Sequence, residues 1–119
     1  MKKFCLSFLY AFRGIKYAFQ GQRNIKVQMC SGVAAVAAGL ILRVQTIELI
    51  AIFLISGMII ALEMVNTAIE KMVDILSPEF NRSYGVIKDI MAGAVLVLAI
   101  ISVIIGILIF IPKIVEIFA

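Results

Sequence analysis

Three long apolar stretches follow a basic amphipathic start, and short polar interruptions separate them. From Val27 to Leu42 sixteen residues carry no charge, and Lys26 and Arg43 bound them with stems long enough to reach the headgroups. This predicts a first transmembrane helix over 27–43. A second is predicted over 47–76, uncharged from Leu49 to Leu62, acidic beyond, and ended by Ser77-Pro78, since proline cannot continue a helix. A third is predicted over 86–112: Lys88 and Asp89 open it, and the 23 uncharged residues from Ile90 to Pro112 suffice to cross a bilayer with some tilt. Ahead of these, Phe4, Phe8, Phe12 and Phe19, with Leu9 and Ile15 between, recur at helical spacing while Lys and Arg project elsewhere. That pattern predicts a helix over 3–20 lying in the membrane interface, followed by a turn at Gly21 and Asn24.

Composition agrees with a membrane protein. Of 119 residues 64% are hydrophobic and 15% charged, which excludes a large soluble catalytic domain and predicts one all-α integral membrane domain over 1–119. The first 28 residues hold Lys2, Lys3, Arg13, Lys16, Arg23 and Lys26 and no acid, which places the N-terminus in the cytoplasm. Because Arg13 and Lys16 interrupt the apolar run and no small-residue cleavage site follows, a secretory signal peptide is not expected and this segment should be retained. Three spans then put the C-terminus outside, with Lys71, Arg82 and Lys88 around the second cytoplasmic connection. Histidine is absent, so imidazole catalysis and imidazole metal ligation are excluded. Cys5 and Cys30 lack any metal or redox spacing and read as packing residues. Along the first span Ser31, Ala35 and Gly39, and Ala34 with Ala38, stand four residues apart, a spacing that admits a neighbouring backbone closely.

The residues that do not belong in hydrocarbon carry the functional signal. Glu63, Asn66, Thr67, Glu70 and Asp74 fall within about 60° either side of one line along the second helix. A carboxylate at the centre of a span costs roughly 2.5–3.5 kcal/mol on insertion scales, so the stripe must face protein or water. The short connection to the third span brings Lys88 near the depth of Glu70, where both can face a polyanion and a metal. The set suits phosphoryl transfer: Glu70 on Mg²⁺, Lys88 on phosphate oxygens, and the deeper Glu63 taking a proton from a lipid hydroxyl. The usual nucleotide motifs are missing, with neither G-x-x-x-x-G-K-[ST] nor G-x-G-x-x-G present. Two other classes stand beside this reading on the residues alone. One is a small proton-coupled transporter built on the buried acid. The other is a structural or pore-forming protein whose stripe is solvated lining.

Glu63-Met-Val-Asn66-Thr-Ala-Ile-Glu70-Lys-Met-Val-Asp74 resembles the E-x-x-N-[ST]-A-I-E-x-x-V-D signature of the small prokaryotic diacylglycerol kinase family, which includes undecaprenol kinases. Lys88-Asp89-Ile-Met-Ala-Gly-Ala-Val95 is similar to its K-D-x-x-[AS]-[AG]-A-V, and Tyr10-Ala-Phe-Arg-Gly14-Ile to its N-terminal Y-x-[FW]-[RK]-G-[IL]. The resemblance covers nearly the whole chain. It implies a homotrimer in the bacterial cytoplasmic membrane that uses ATP and Mg²⁺ to phosphorylate a lipid alcohol at the cytoplasmic face, in sites between subunits. Its implied partners are ATP, the lipid alcohol, membrane lipids and further copies of the chain, with no nucleic acid. By position Glu63 matches the catalytic base, Glu70 a metal ligand, and Lys88 with Asp89 part of the nucleotide site. Tyr10, Gln22, Glu79, Phe80 and Asn81 fall where the family also contacts ATP, and Asn66 and Asp74 order the site.

One departure concerns the metal. At Gln22-Arg23-Asn24 the family usually has an acid first, as second protein ligand to the metal, whereas Gln22 offers a neutral carbonyl oxygen. Either the amide suffices for a hard cation that keeps several waters, or the metal is held more weakly here. The Ile111-Pro112-Lys113-Ile114 ending and the Gln-Arg-Asn element look more like undecaprenol kinases of Gram-positive bacteria than Gram-negative diacylglycerol kinases. Undecaprenol is therefore the expected acceptor and diacylglycerol the alternative.

Overall fold

The computed structural model describes residues 1–79 and 81–119, which form four helices: α1 (Lys2–Gly21), α2 (Arg23–Leu42), α3 (Thr46–Leu76) and α4 (Arg82–Phe118). The last three are long and apolar enough to cross a membrane. The bundle is flat, 57 × 43 × 20 Å, and its long dimension is that of α4, whose 37 residues span about 56 Å at 1.5 Å per residue. A soluble protein of 13.1 kDa exposes roughly 6,400 Å². This one exposes 8923 Å², much of it from outward apolar side chains such as Phe53, Leu96, Val103 and Leu108. Such a surface is matched to lipid rather than to water.

α3 is the central element, packed against α2 on one side and α4 on the other, while α1 lies against α2 and α3. Its buried residues Ile52, Ile55, Ile59, Glu63 and Thr67 fall on a single stripe, because steps of three and four return to the same face of a helix. The polar stripe expected from the sequence thus continues the α3 core stripe toward the C-terminal end of the helix. At Gly32 of α2 a side chain of α3 comes close: a Cβ there would lie 3.2 Å from Ser56 Cβ. A Cβ at Gly39 would lie 3.2 Å from Leu49 Cδ1. The tight seam therefore runs through Gly32 and Gly39, and of the small residues expected to form it Ser31 and Ala34 are exposed.

The connections differ from expectation in three places. The turn placed at Gly21 and Asn24 is confined to Gln22, with φ −126° and ψ 120°, and Asn24 already lies inside α2. At the other end of α2, Arg43 adopts the left-handed conformation (φ 56°, ψ 49°). There Val44 N–H donates to Gly39 O at 3.1 Å and Arg43 N–H to Leu40 O at 3.3 Å, the paired bonds of a Schellman ending. Glu48 then caps α3 by accepting from Gln45 N–H at 3.1 Å. Finally, α4 begins at Arg82, four residues before the expected third span, and continues through Pro112 to Phe118. Proline removes one backbone donor, and the helix absorbs that loss where it packs loosely.

Candidate functional site

The site grows from the C-terminal half of α3. Glu63 is 3% exposed, held in the stripe that Ile52, Ile55 and Ile59 continue toward the other end of the helix. Thr67, also buried, turns its hydroxyl back to donate to Glu63 O at 2.8 Å, so it satisfies itself locally without using the carboxylate. Glu70, two turns on, is half-buried and has no salt bridge among the described residues. At 1.5 Å per residue it lies about 10 Å along the axis from Glu63, and Asp74 about 16 Å. Asn66 is half-buried between them.

Asp74 is where α3 meets α4. Lys88 Nζ donates to Asp74 Oδ1 at 2.7 Å, and both side chains remain substantially open to solvent, 42% and 66% exposed. The sequence had placed Lys88 near the depth of Glu70, whose charge does reach it; its hydrogen bond is made to Asp74, an acid one turn farther out. Around this pair a cleft of about 260 Å³ is lined by Asp74, Glu79, Asn81, Tyr84, Lys88 and Asp89. Its walls are locally fixed. Asn81 caps α4 by accepting from Ser83 N–H at 2.9 Å, and Ser77 Oγ donates to Glu79 O at 2.8 Å. The cleft thus gathers one ammonium, three carboxylates and an amide at the mouth of the helix pair.

Two expected nucleotide residues stand outside this cleft. Tyr10 is exposed on α1, with the Arg13 guanidinium 5.9 Å from its ring centroid, and Gln22 sits half-buried at the α1–α2 junction. Phe80 lies outside the described residues. Among the described residues no three His, Cys, Asp or Glu side chains cluster as a metal cage. Sequence reasoning missed Tyr84, although it precedes Lys88 by four residues and so shares its helix face. It also missed the contact of Tyr17 with Lys71, 54 positions apart, which no local pattern could have signalled.

The same residues fall inside a family match. Residues 9–110 fit the model of the prokaryotic diacylglycerol kinases, from Leu9 beside the Tyr10 motif to beyond Lys88-Asp89. The chain belongs to that family. It is 39% identical over 113 residues to an undecaprenol kinase of Bacillus subtilis (strain 168), covering 95% of this chain and 92% of that protein. It is 38% identical over 102 residues to a diacylglycerol kinase of Synechocystis sp., covering 85% of this chain and 58% of that longer protein. The protein is accordingly a lipid kinase, a family that uses ATP and works among membrane lipids. Kinase membership selects phosphotransfer over the transporter and pore readings of the chain.

Proposed function

We propose that this kinase phosphorylates undecaprenol at the cytoplasmic face of a bacterial membrane, drawing the γ-phosphoryl group from ATP with Mg²⁺. One observation carries the reading: a single face of α3 holds a buried carboxylate, Glu63, and then emerges as Glu70 and Asp74 toward the cleft of Lys88. ATP lies at that cleft, with Lys88 balancing phosphate charge and Asp89, Glu79 and Asn81 around the nucleotide. The lipid hydroxyl reaches Glu63 from the bilayer. Its proton passes to the carboxylate as its oxygen bonds to the γ-phosphorus, the bond from that phosphorus to the bridging oxygen breaks, and ADP leaves.

The donors present suit Mg²⁺, which takes one or two protein oxygens and otherwise keeps water and phosphate. Glu70 has no competing salt bridge among the described residues, because Lys88 is engaged by Asp74, and Gln22 adds an amide oxygen. Bound there, the ion neutralises phosphate charge. Asn66 and Asp74 hold the surrounding groups in place.

The 1–119 domain is read as a homotrimer. Outward apolar side chains such as Phe53 and Leu96 leave surface for neighbouring copies as well as for lipid. α1 lies in the membrane interface, with its N-terminus cytoplasmic and the C-terminus outside, following the six basic residues of the first 28. Diacylglycerol stands as a second acceptor because the Synechocystis relative is nearly as similar as the Bacillus one.

The test is transfer of labelled γ-phosphate by the purified protein in mixed micelles, with undecaprenol and a diacylglycerol offered in parallel, each with and without Mg²⁺. A metal-dependent undecaprenyl phosphate is expected. A clear preference for diacylglycerol would reassign the acceptor, and no lipid phosphate from folded protein with either lipid would overturn the reading.

A further inference from the structure

α1 is weakly rooted. Of its 20 residues only Ala18 is buried, and it meets the rest of the chain through α2 and α3. Among the described residues two hydrogen bonds join side chains of different helices, and both end on the cytoplasmic part of α3. One is the Lys88–Asp74 bond from α4. The other comes from α1, where Lys71 donates to the Tyr17 hydroxyl while its ammonium also lies 4.8 Å from the centroid of the Tyr17 ring. Lys71 follows Glu70 directly and precedes Asp74 by three residues, so α1 and α4 both hold α3 at the level of the proposed metal and nucleotide residues.

We infer that the Tyr17–Lys71 contact is a positioning device for the kinase site: it fixes α1, and with it Tyr10 and Gln22, relative to Glu70. This rests on the reading of those residues under the proposed function. The physical case is that a helix with one side chain buried against protein has little packing to fix its rotation and tilt against α3, whereas the ammonium that donates to the phenol oxygen restricts where Tyr17 can lie. Lys71 has no acidic partner among the described residues, so the Tyr17 hydroxyl is the side-chain partner its ammonium has there. A groove of about 400 Å³ lies beside it, between Gly14 and Ala18 of α1 and Met64 and Ala68 of α3, which leaves the pair as the polar tie across an otherwise open junction.

The experiment measures geometry and kinetics on the same variants. Spin labels on the native, exposed Cys5 of α1 and on Met72→Cys of α3, with Cys30→Ser and an excess of unlabelled protein, report the α1–α3 distance distribution. Lys71→Met is expected to broaden that distribution and to raise the KM for ATP about five- to tenfold with a smaller change in kcat, the scale of one charge-assisted contact at a solvated site. Tyr17→Phe, which keeps the ring and loses the oxygen, should fall between, and Lys71→Arg should restore both readouts. An unchanged distribution in Lys71→Met overturns the inference. So does a broadened distribution with an unchanged KM, or a raised KM without broadening, which would mean that Lys71 meets the nucleotide itself. A wild-type protein with a narrow distribution but no lipid phosphorylation would count against the proposed function and leave the helix contact standing.

Discussion

Lys88 Nζ lies 2.7 Å from Asp74 Oδ1 and so ties the start of α4 to the end of α3 across the candidate nucleotide cleft. Both side chains are well exposed, so the pair contributes no more than about 1 kcal/mol to stability. Its importance is directional: it aims the ammonium along the cleft wall.

From that follows a separation of two variants. Asp74→Asn should leave thermal unfolding in detergent nearly unchanged and raise the KM for ATP a few-fold, because Lys88 is still present but less constrained. Lys88→Met should lower kcat/KM by about 10²-fold or more, the usual cost of removing one stabiliser of transferring charge. Steady-state kinetics of both variants check this; equal, small losses would reduce Lys88 to a structural partner of Asp74.

Glu63→Gln tests the proton acceptor. The amide fits the same 3%-exposed position without a charge to bury, so folding and assembly should be at least as robust as in the wild type. Turnover should fall by about 10²–10⁴-fold while ATP still binds, since the amide cannot take the hydroxyl proton. Turnover near the wild-type rate would remove Glu63 from the chemistry.

Metal use should separate Glu70 from Gln22. With Glu70→Ala the Mg²⁺ concentration for half-maximal activity is expected to rise at least tenfold, because the proposed carboxylate donor is lost. Gln22→Glu should shift it the other way. Magnesium titrations of activity read both, and an indifferent Gln22→Glu would place residue 22 outside the ion's ligands.

Gly32→Val probes the α2–α3 seam. A Cβ at residue 32 already comes within 3.2 Å of Ser56 Cβ, tighter than ordinary contact, and valine adds two methyl groups beyond it. Overpacking of this kind costs about 1–3 kcal/mol, so the unfolding temperature in detergent should drop by several degrees. The same substitution at Gly57, where a Cβ would meet nothing within 4 Å, should leave it almost unchanged.

Much of this protein is written locally. The apolar stretches gave rise to expectations of three long helices because hydrophobic length is a property of consecutive residues; the polar stripe of Glu63, Asn66, Glu70 and Asp74 was legible because helical period alone puts them on one face, and the kinase family was legible in the motifs those residues belong to. The face does not name its neighbour, however. That Lys88 meets Asp74 rather than Glu70, that the seam runs through Gly32 and Gly39, that the first turn shrinks to Gln22, and that Tyr17 reaches Lys71 all depend on how far one helix is slid and rotated against another. Those offsets are set by interdigitation of side chains from distant parts of the chain, and only the packed bundle decides them.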